Sequence, residues 1–237
     1  MNWTINKQIP DEGPNMIRPV ITLRRKRILI DIDTQKDYFI AEGAACIRNH
    51  RRVLANVRRA IAWARHRNIR MISTALSSTE NGCCREGTPG QKKLHYTIRN
   101  KSVTFPADGS TDLQRQILQN YDQVVLEKRC PDPFNEPRAE RMLSEIRADE
   151  FIVIGAIAEE SVKSTVLGLL ARQKNVTIII DAVGSQNKNA AEIALRQMEA
   201  KGAKLIELKA LVGPSNLRLV GACKCDRCQG KMQKSAG

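Results

Sequence analysis

Short apolar runs alternate with amphipathic stretches along most of this chain. Residues 27–33 are rich in isoleucine and leucine and end in carboxylates, Asp31 and Asp33, which predicts a strand with a charged end. Across residues 50–67, Val53, Val57, Ala60, Ile61 and Ala64 recur at helical spacing and predict a helix with one inner face. The same reading predicts strands at 69–74, 123–126, 151–154, 176–181 and 203–206. It predicts further helices at 111–120, 137–147, 159–173 and 189–201, the last stopped by Gly202. The runs Phe151-Ile152-Val153-Ile154 and Thr177-Ile178-Ile179-Ile180 are mostly apolar, as in strands covered on both sides. Strands that alternate with helices predict an α/β fold built on a parallel sheet. The sequence shows no internal repeat and no second domain.

The alternation defines residues 27–206 as the α/β domain. Residues 1–26 read as an irregular arm that runs into the basic stretch Arg24-Arg25-Lys26-Arg27, and residues 207–237 as a basic, cysteine-containing tail. Within the domain, residues 77–104 form a long connection rich in Gly, Cys, Lys and Thr. A connection that long in a compact domain is usually a lid or a binding loop.

Composition narrows the partners. With 237 residues, 42% of them hydrophobic, the chain can bury a full core. No apolar run is long enough to span a bilayer, and residues 1–19, which include Asp11 and Glu12, lack the apolar centre of a signal peptide. A cytoplasmic protein without a membrane partner is expected. The formal charge of +14 favours acidic partners, anionic metabolites or nucleic acid. Arg51, Arg52, Arg58, Arg59 and Arg65 lie off the apolar stripe of their helix, either as a solvated face or as a nucleic-acid surface. Aromatic residues make up only 4% of the chain, which argues against stacking platforms for single strands.

The ends of parallel strands share one edge of the sheet, and open α/β folds build ligand sites there. The first strand brings Asp33 to that edge. The strand at 123–126 brings Glu127, Lys128 and Arg129, and the strand at 151–154 leads through Gly155 into a helix start that holds Ser161. A carboxylate, an ammonium and a hydroxyl are thus expected around one pocket, with backbone N–H groups at the helix start able to face an oxyanion.

At these residues the chain resembles the isochorismatase-like, or cysteine hydrolase, superfamily. Asp33-Thr34-Gln35-Lys36-Asp37, followed by Tyr38 and Phe39, is similar to its opening Asp-x-Gln-x-Asp-Phe. Lys128 lies six residues before Phe134, as the family's lysine does before a phenylalanine. Gly155 to Val162 is similar to Gly-x-x-Thr-acidic-x-Cys-Val, and Asp181-Ala182-Val183 with Gly202-Ala203 resembles the closing strand–helix–strand. The resemblance implies a Rossmann-like three-layer α/β/α sandwich, a non-proline cis peptide near Ala156–Ile157, and a homo-oligomer. It implies catalytic roles for Asp33, Lys128 and Ser161, and substrate contacts from Gln35, Phe39, Phe134, Ala156 and Ile157.

The departures bear on the reaction. The nucleophile position holds Ser161 rather than cysteine. A serine hydroxyl is far less acidic than a thiol, no histidine lies in any of the motifs, and a lone Asp is a poor base for it. The family's nicotinamidase metal motif, Asp-x-His-x-His, would fall near Ser73-Thr74-Ala75-Leu76-Ser77-Ser78, which offers neither carboxylate nor imidazole. Catalysis is therefore expected to need no cofactor. One branch needs no thiol: isochorismatases cleave a vinyl ether by protonating its carbon, and the resemblance gives that proton to Asp33. Burial would favour the protonated acid, and Lys128 would favour the carboxylate. Lys92, Lys93 and Arg99 are candidates to bind a carboxylate substrate. The expected activity is hydrolysis of a small anionic metabolite; the alternative is a non-catalytic relative that binds an acidic partner or nucleic acid.

Seven cysteines and no export signal suggest reduced thiols or a metal site. Cys223, Cys225 and Cys228 have the Cys-x-Cys-x-x-Cys spacing of thiolate ligands and are candidates for a structural zinc. Cys46, Cys83, Cys84, Cys130 or a neighbouring subunit would have to supply the fourth ligand; otherwise the three are free thiols.

Overall fold

A seven-stranded parallel sheet carries the chain, with helices on both of its faces. The computed structural model describes residues 25–78 and 82–213. In chain order the elements are β1 (Arg27–Ile32), α1 (Lys36–Phe39), α2 (His50–His66), β2 (Arg70–Leu76), β3 (Ser102–Phe105), α3 (Ile117–Asn120) and β4 (Gln123–Lys128). They continue as α4 (Pro137–Glu145), β5 (Glu150–Ala156), α5 (Lys163–Ala171), β6 (Val176–Gly184), α6 (Lys188–Ala200), β7 (Lys204–Ile206) and α7 (Leu208–Val212). The sheet order is β3-β4-β2-β1-β5-β6-β7. From β1 the chain adds β2, then the edge strand β3, then β4 between them, and crosses back to build the other side from β5. That reversal opens the ligand crevice of an open α/β sheet at the carboxyl ends of β1 and β5.

The side-chain alternation of β1 shows why the sheet is covered twice. Ile28, Ile30 and Ile32 pack with Val166 and Leu169 of α5, Met142 and Leu143 of α4 and Met198 of α6. Leu29 points the other way, with Met71, Ile152 and Ile154, into Val53, Val57 and Ile61 of α2 and Leu208 and Val212 of α7. This is the three-layer α/β/α sandwich that the alternating pattern and the resemblance predict.

The differences from the sequence reading lie at edges. The expected helix at 111–120 survives only as α3. Arg138 and Arg141 donate to the carbonyls of Asp112 and Thr111, which draws those residues out of a helical turn. The long connection contributes β3, a half-exposed edge strand too weakly patterned to read. Ser161 sits in a π-helical turn, Ala158–Val162, that leads into α5.

Gly155 lets β5 run close beside β1. It has φ of +124°, and a Cβ built there would overlap the backbone of Ile32. Gly155→Ala is expected to cost about 3 kcal/mol, because both partners are backbone in the middle of the sheet. Urea unfolding checks this; an unchanged midpoint would show that β5 can move away without loss.

Candidate active site

Asp33 leaves the end of β1 with φ of 46°, which turns its carboxylate over the carboxyl edge of β2. Thr74 of β2 holds it there. The Thr74 hydroxyl donates to Asp33 Oδ1 at 2.6 Å, and the Asp33 N–H in turn reaches Thr74 Oγ1 and O, both at 3.3 Å. Lys128 ends β4, two strands from β1 across β2. At about 4.8 Å per strand that gap suits a lysine stem and little shorter. Its ammonium lies 2.8 Å from Asp33 Oδ2, 3.0 Å from Ser161 Oγ, 2.9 Å from Pro131 O and 3.2 Å from Cys130 O. Among the described residues, Asp33 Oδ2 has no partner other than this ammonium.

The three side chains named from the motifs are thus in one cluster. It is also closed: Asp33 and Lys128 have no exposed surface and Ser161 has 3%. A shallow concavity at the β3–β4 edge, lined by Phe105, Asp108, Glu127, Glu136 and Arg138, includes none of the three. Ser161 Oγ accepts a hydrogen bond from Lys128, and the Ser161 carbonyl accepts from Thr165 Oγ1 at 2.7 Å. The arrangement holds a buried carboxylate beside a fixed positive charge and gives the serine a donor rather than a base.

The other motif residues surround this cluster in different ways. Ala156 and Ile157 are buried and are joined by a cis peptide bond, next to the turn that carries Ser161. The Gln35 amide is engaged by backbone: it donates to Leu76 O and Gln91 O and accepts from the Leu76 N–H. Asp37 is structural, accepting from the N–H groups of Ala44 and Cys84. Phe39 is buried in the α2-side core. Phe134 is half-buried, with Arg172 over its ring at 3.9 Å and Gly168 of α5 against its edge.

A second buried ion pair, not anticipated from the motifs, lies on the α2 side of the sheet. Asp31 Oδ2 meets Lys93 Nζ at 3.0 Å and the Ser73 hydroxyl at 2.9 Å. Gln123 donates to Ser73 Oγ and Thr97 O and completes the network. Lys93 therefore spends its charge on Asp31, not on a substrate. Arg99 donates to Ile69 O and faces Asp122, at the amino ends of the strands and away from Asp33. Alternation along β1 was the available signal: Asp31 sits on the inner phase of a buried strand and so needs a buried partner.

The long connection also places a thiol pair near Asp33. Tyr38 Oη lies 3.4 Å from Cys83 Sγ. Hydrogen bonds from Cys84 and then Tyr38 outweigh burial and lower the Cys83 thiol to about 6, while the bond to Cys83 and burial push the Cys84 thiol up. Burial, then the charges of Cys84 and Asp33, push the Tyr38 phenol up, so it remains an O–H donor. Cys83 is expected to alkylate faster than Cys84 with iodoacetamide at pH 7, its rate rising through about pH 6 and levelling above it. Peptide mass spectrometry checks this; equal labelling of the two would contradict it.

Cys46, Cys83, Cys84 and Cys130 are free. Among the described residues no three His, Cys, Asp or Glu side chains are grouped to hold a metal ion. Cys223, Cys225 and Cys228 lie outside the described residues.

Comparison with known proteins follows the same lines. The isochorismatase domain matches residues 27–210. The pyrazinamidase of Pyrococcus horikoshii, solved with zinc, is 20% identical with a TM-score of 0.61, over 77% of this chain and 99% of that one. A putative isochorismatase hydrolase from Oleispira antarctica is 12% identical with a TM-score of 0.64, over 81% and 98%. The MAR1 ribonuclease of Caenorhabditis elegans is 21% identical with a TM-score of 0.57, over 88% of each chain. No curated protein matches the sequence. At these identities the solved structures speak for the fold, while the domain match spans most of the chain and includes Asp33, Lys128 and Ser161: this protein belongs to the isochorismatase family.

Proposed function

We propose that this protein is a hydrolase that acts on a small anionic metabolite by proton transfer from Asp33, with Lys128 as the fixed charge and without a covalent serine intermediate. The observation that carries this reading is the Lys128 ammonium, shared between Asp33 Oδ2 and Ser161 Oγ. Asp33 Oδ2 lies 2.8 Å from that ammonium, and Oδ1 is held by the Thr74 hydroxyl. On a vinyl ether, Asp33 would protonate the terminal carbon, water would add to the resulting oxocarbenium ion and return its proton to Asp33, and the neutral hemiketal would collapse into an alcohol and a carbonyl compound. Lys128 would balance the carboxylate formed at the first step. Ser161 Oγ would orient Lys128 or the substrate.

Turnover of carboxylate-bearing vinyl ethers, amides and esters, with mass spectrometry of the intact protein, tests this. Vinyl ether cleavage without a covalent adduct is the expected result. An acyl group trapped on Ser161 would instead establish nucleophilic catalysis.

A second reading has its own support in the closure of the cluster. A family member with Asp33 and Lys128 sealed from solvent can keep the ion pair for stability alone and serve as a binding protein. Absence of hydrolysis across the panel, together with ligand binding unaffected by Asp33→Asn, would favour it.

A further inference from the structure

We propose that the outer face of α2 is a docking surface for the phosphate backbone of double-stranded DNA. This rests on a different part of the molecule from the Asp33 cluster. Between Glu42 and Glu80 the chain has no Asp or Glu, and it has eight arginines: Arg48, Arg51, Arg52, Arg58, Arg59, Arg65, Arg67 and Arg70. By contrast, α4 and α6 mix signs, with Arg141 against Glu145 and Lys188 against Glu192.

The folded helix turns this composition into a pattern. Val53, Val57, Ala60, Ile61 and Ala64 are buried against the sheet, which leaves the pairs Arg51–Arg52, Arg58–Arg59 and Arg65–His66 on other sides of the helix. The pairs repeat every seven residues, or about 10.5 Å along the axis. Arg51, Arg52, Arg58, Arg59 and His66 are exposed. Arg58 lies over the Tyr96 ring at 4.3 Å, and Arg65 donates to Tyr96 O and Ile98 O. At the far end of the helix Arg70 and Arg99 share one carboxylate, Asp122, and burial and then the charges of Arg65 and Arg70 depress Arg99. On the other flank Asp181 is bonded to Asn56 and to the Leu208 N–H. The positive charge along the face is thus left largely uncompensated.

Two exposed guanidinium pairs one heptad apart, Arg51–Arg52 and Arg58–Arg59, match the regular spacing of phosphates, to which arginine presents a bidentate fork. A bilayer fits poorly, because the apolar side of α2 is spent on the core and the outer side offers little to insert. A single strand fits poorly too, because Tyr96, beside this face, is covered by Arg58. The heptad step is close to the major-groove width of B-form DNA, about 12 Å, so successive pairs can meet phosphates on its two sides. The A-form major groove is too narrow for that step.

The test is fluorescence anisotropy of the full-length chain with a labelled DNA duplex of about 24 base pairs across about 50–200 mM salt. Changing Arg51, Arg52, Arg58 and Arg59 together to Gln is expected to weaken binding at least about tenfold and to reduce the slope of log affinity against log salt by about three to four. Changing the same four to Lys keeps most of the slope, which separates lost charge from lost folding. Changing Lys188, Arg196, Lys201 and Lys204 to Gln removes as much charge elsewhere and is expected to leave the slope intact. Equal losses in the two Gln variants, or none in the α2 variant, would overturn the proposal. So would tighter binding to an RNA duplex of equal length, or to vesicles containing phosphatidylserine.

Discussion

Asp33→Asn is expected to lower turnover about 10³-fold, in the range lost when a positioned general acid is removed. The amide keeps the size of the side chain and can still meet Thr74, but it has no proton of suitable acidity to give. Ser161→Ala is expected to cost no more than about tenfold, since the hydroxyl accepts from Lys128 and has no base beside it. The contrast between the two variants is the informative quantity. If they lose activity equally, the serine is acting as nucleophile and the proton-transfer reading fails. Steady-state kinetics on the cleaved substrate, normalised to folded protein, gives the comparison.

Lys128→Met is expected to have the largest effect on stability, about 3–5 kcal/mol by urea unfolding. Methionine fills much of the volume, but it leaves the Asp33 carboxylate buried with Thr74 as its remaining side-chain partner among the described residues. Asp33→Asn should cost less, because Lys128 keeps Ser161 Oγ and the carbonyls of Cys130 and Pro131. The double variant is therefore expected to be more stable than Lys128→Met alone, since the uncompensated charge has gone. Additive losses would mean that the two groups do not interact, despite the 2.8 Å between them.

The site was legible in sequence to the extent that strand ends are. Asp33 follows an apolar strand, Lys128 closes another, and the turn bearing Ser161 follows a third; parallel pairing then puts all three on one edge. The partners that fix them were not legible. Thr74 is one hydroxyl among several in residues 73–78, and only the β1–β2 register brings it to Asp33. Lys93 reads as a free loop cation until the loop folds back and delivers it to Asp31. The backbone partners of Gln35, Leu76 and Gln91, lie 41 and 56 residues away. Such contacts depend on the path of a long loop, and local propensity carries no record of that path.

By itself the sequence determined the class of fold, the order of its main strands and helices, and the three residues of the central cluster. Periodicity and composition are local quantities, and they suffice for elements whose faces must be buried. The tertiary structure decided the rest: the seven-strand order, the sealing of Asp33 and Lys128 from solvent, the second ion pair beneath them, and the alignment of the α2 arginines into one row. Each of these depends on which distant segments share a low-dielectric interior or a common face, and burial turns ordinary charged residues there into groups that must find partners.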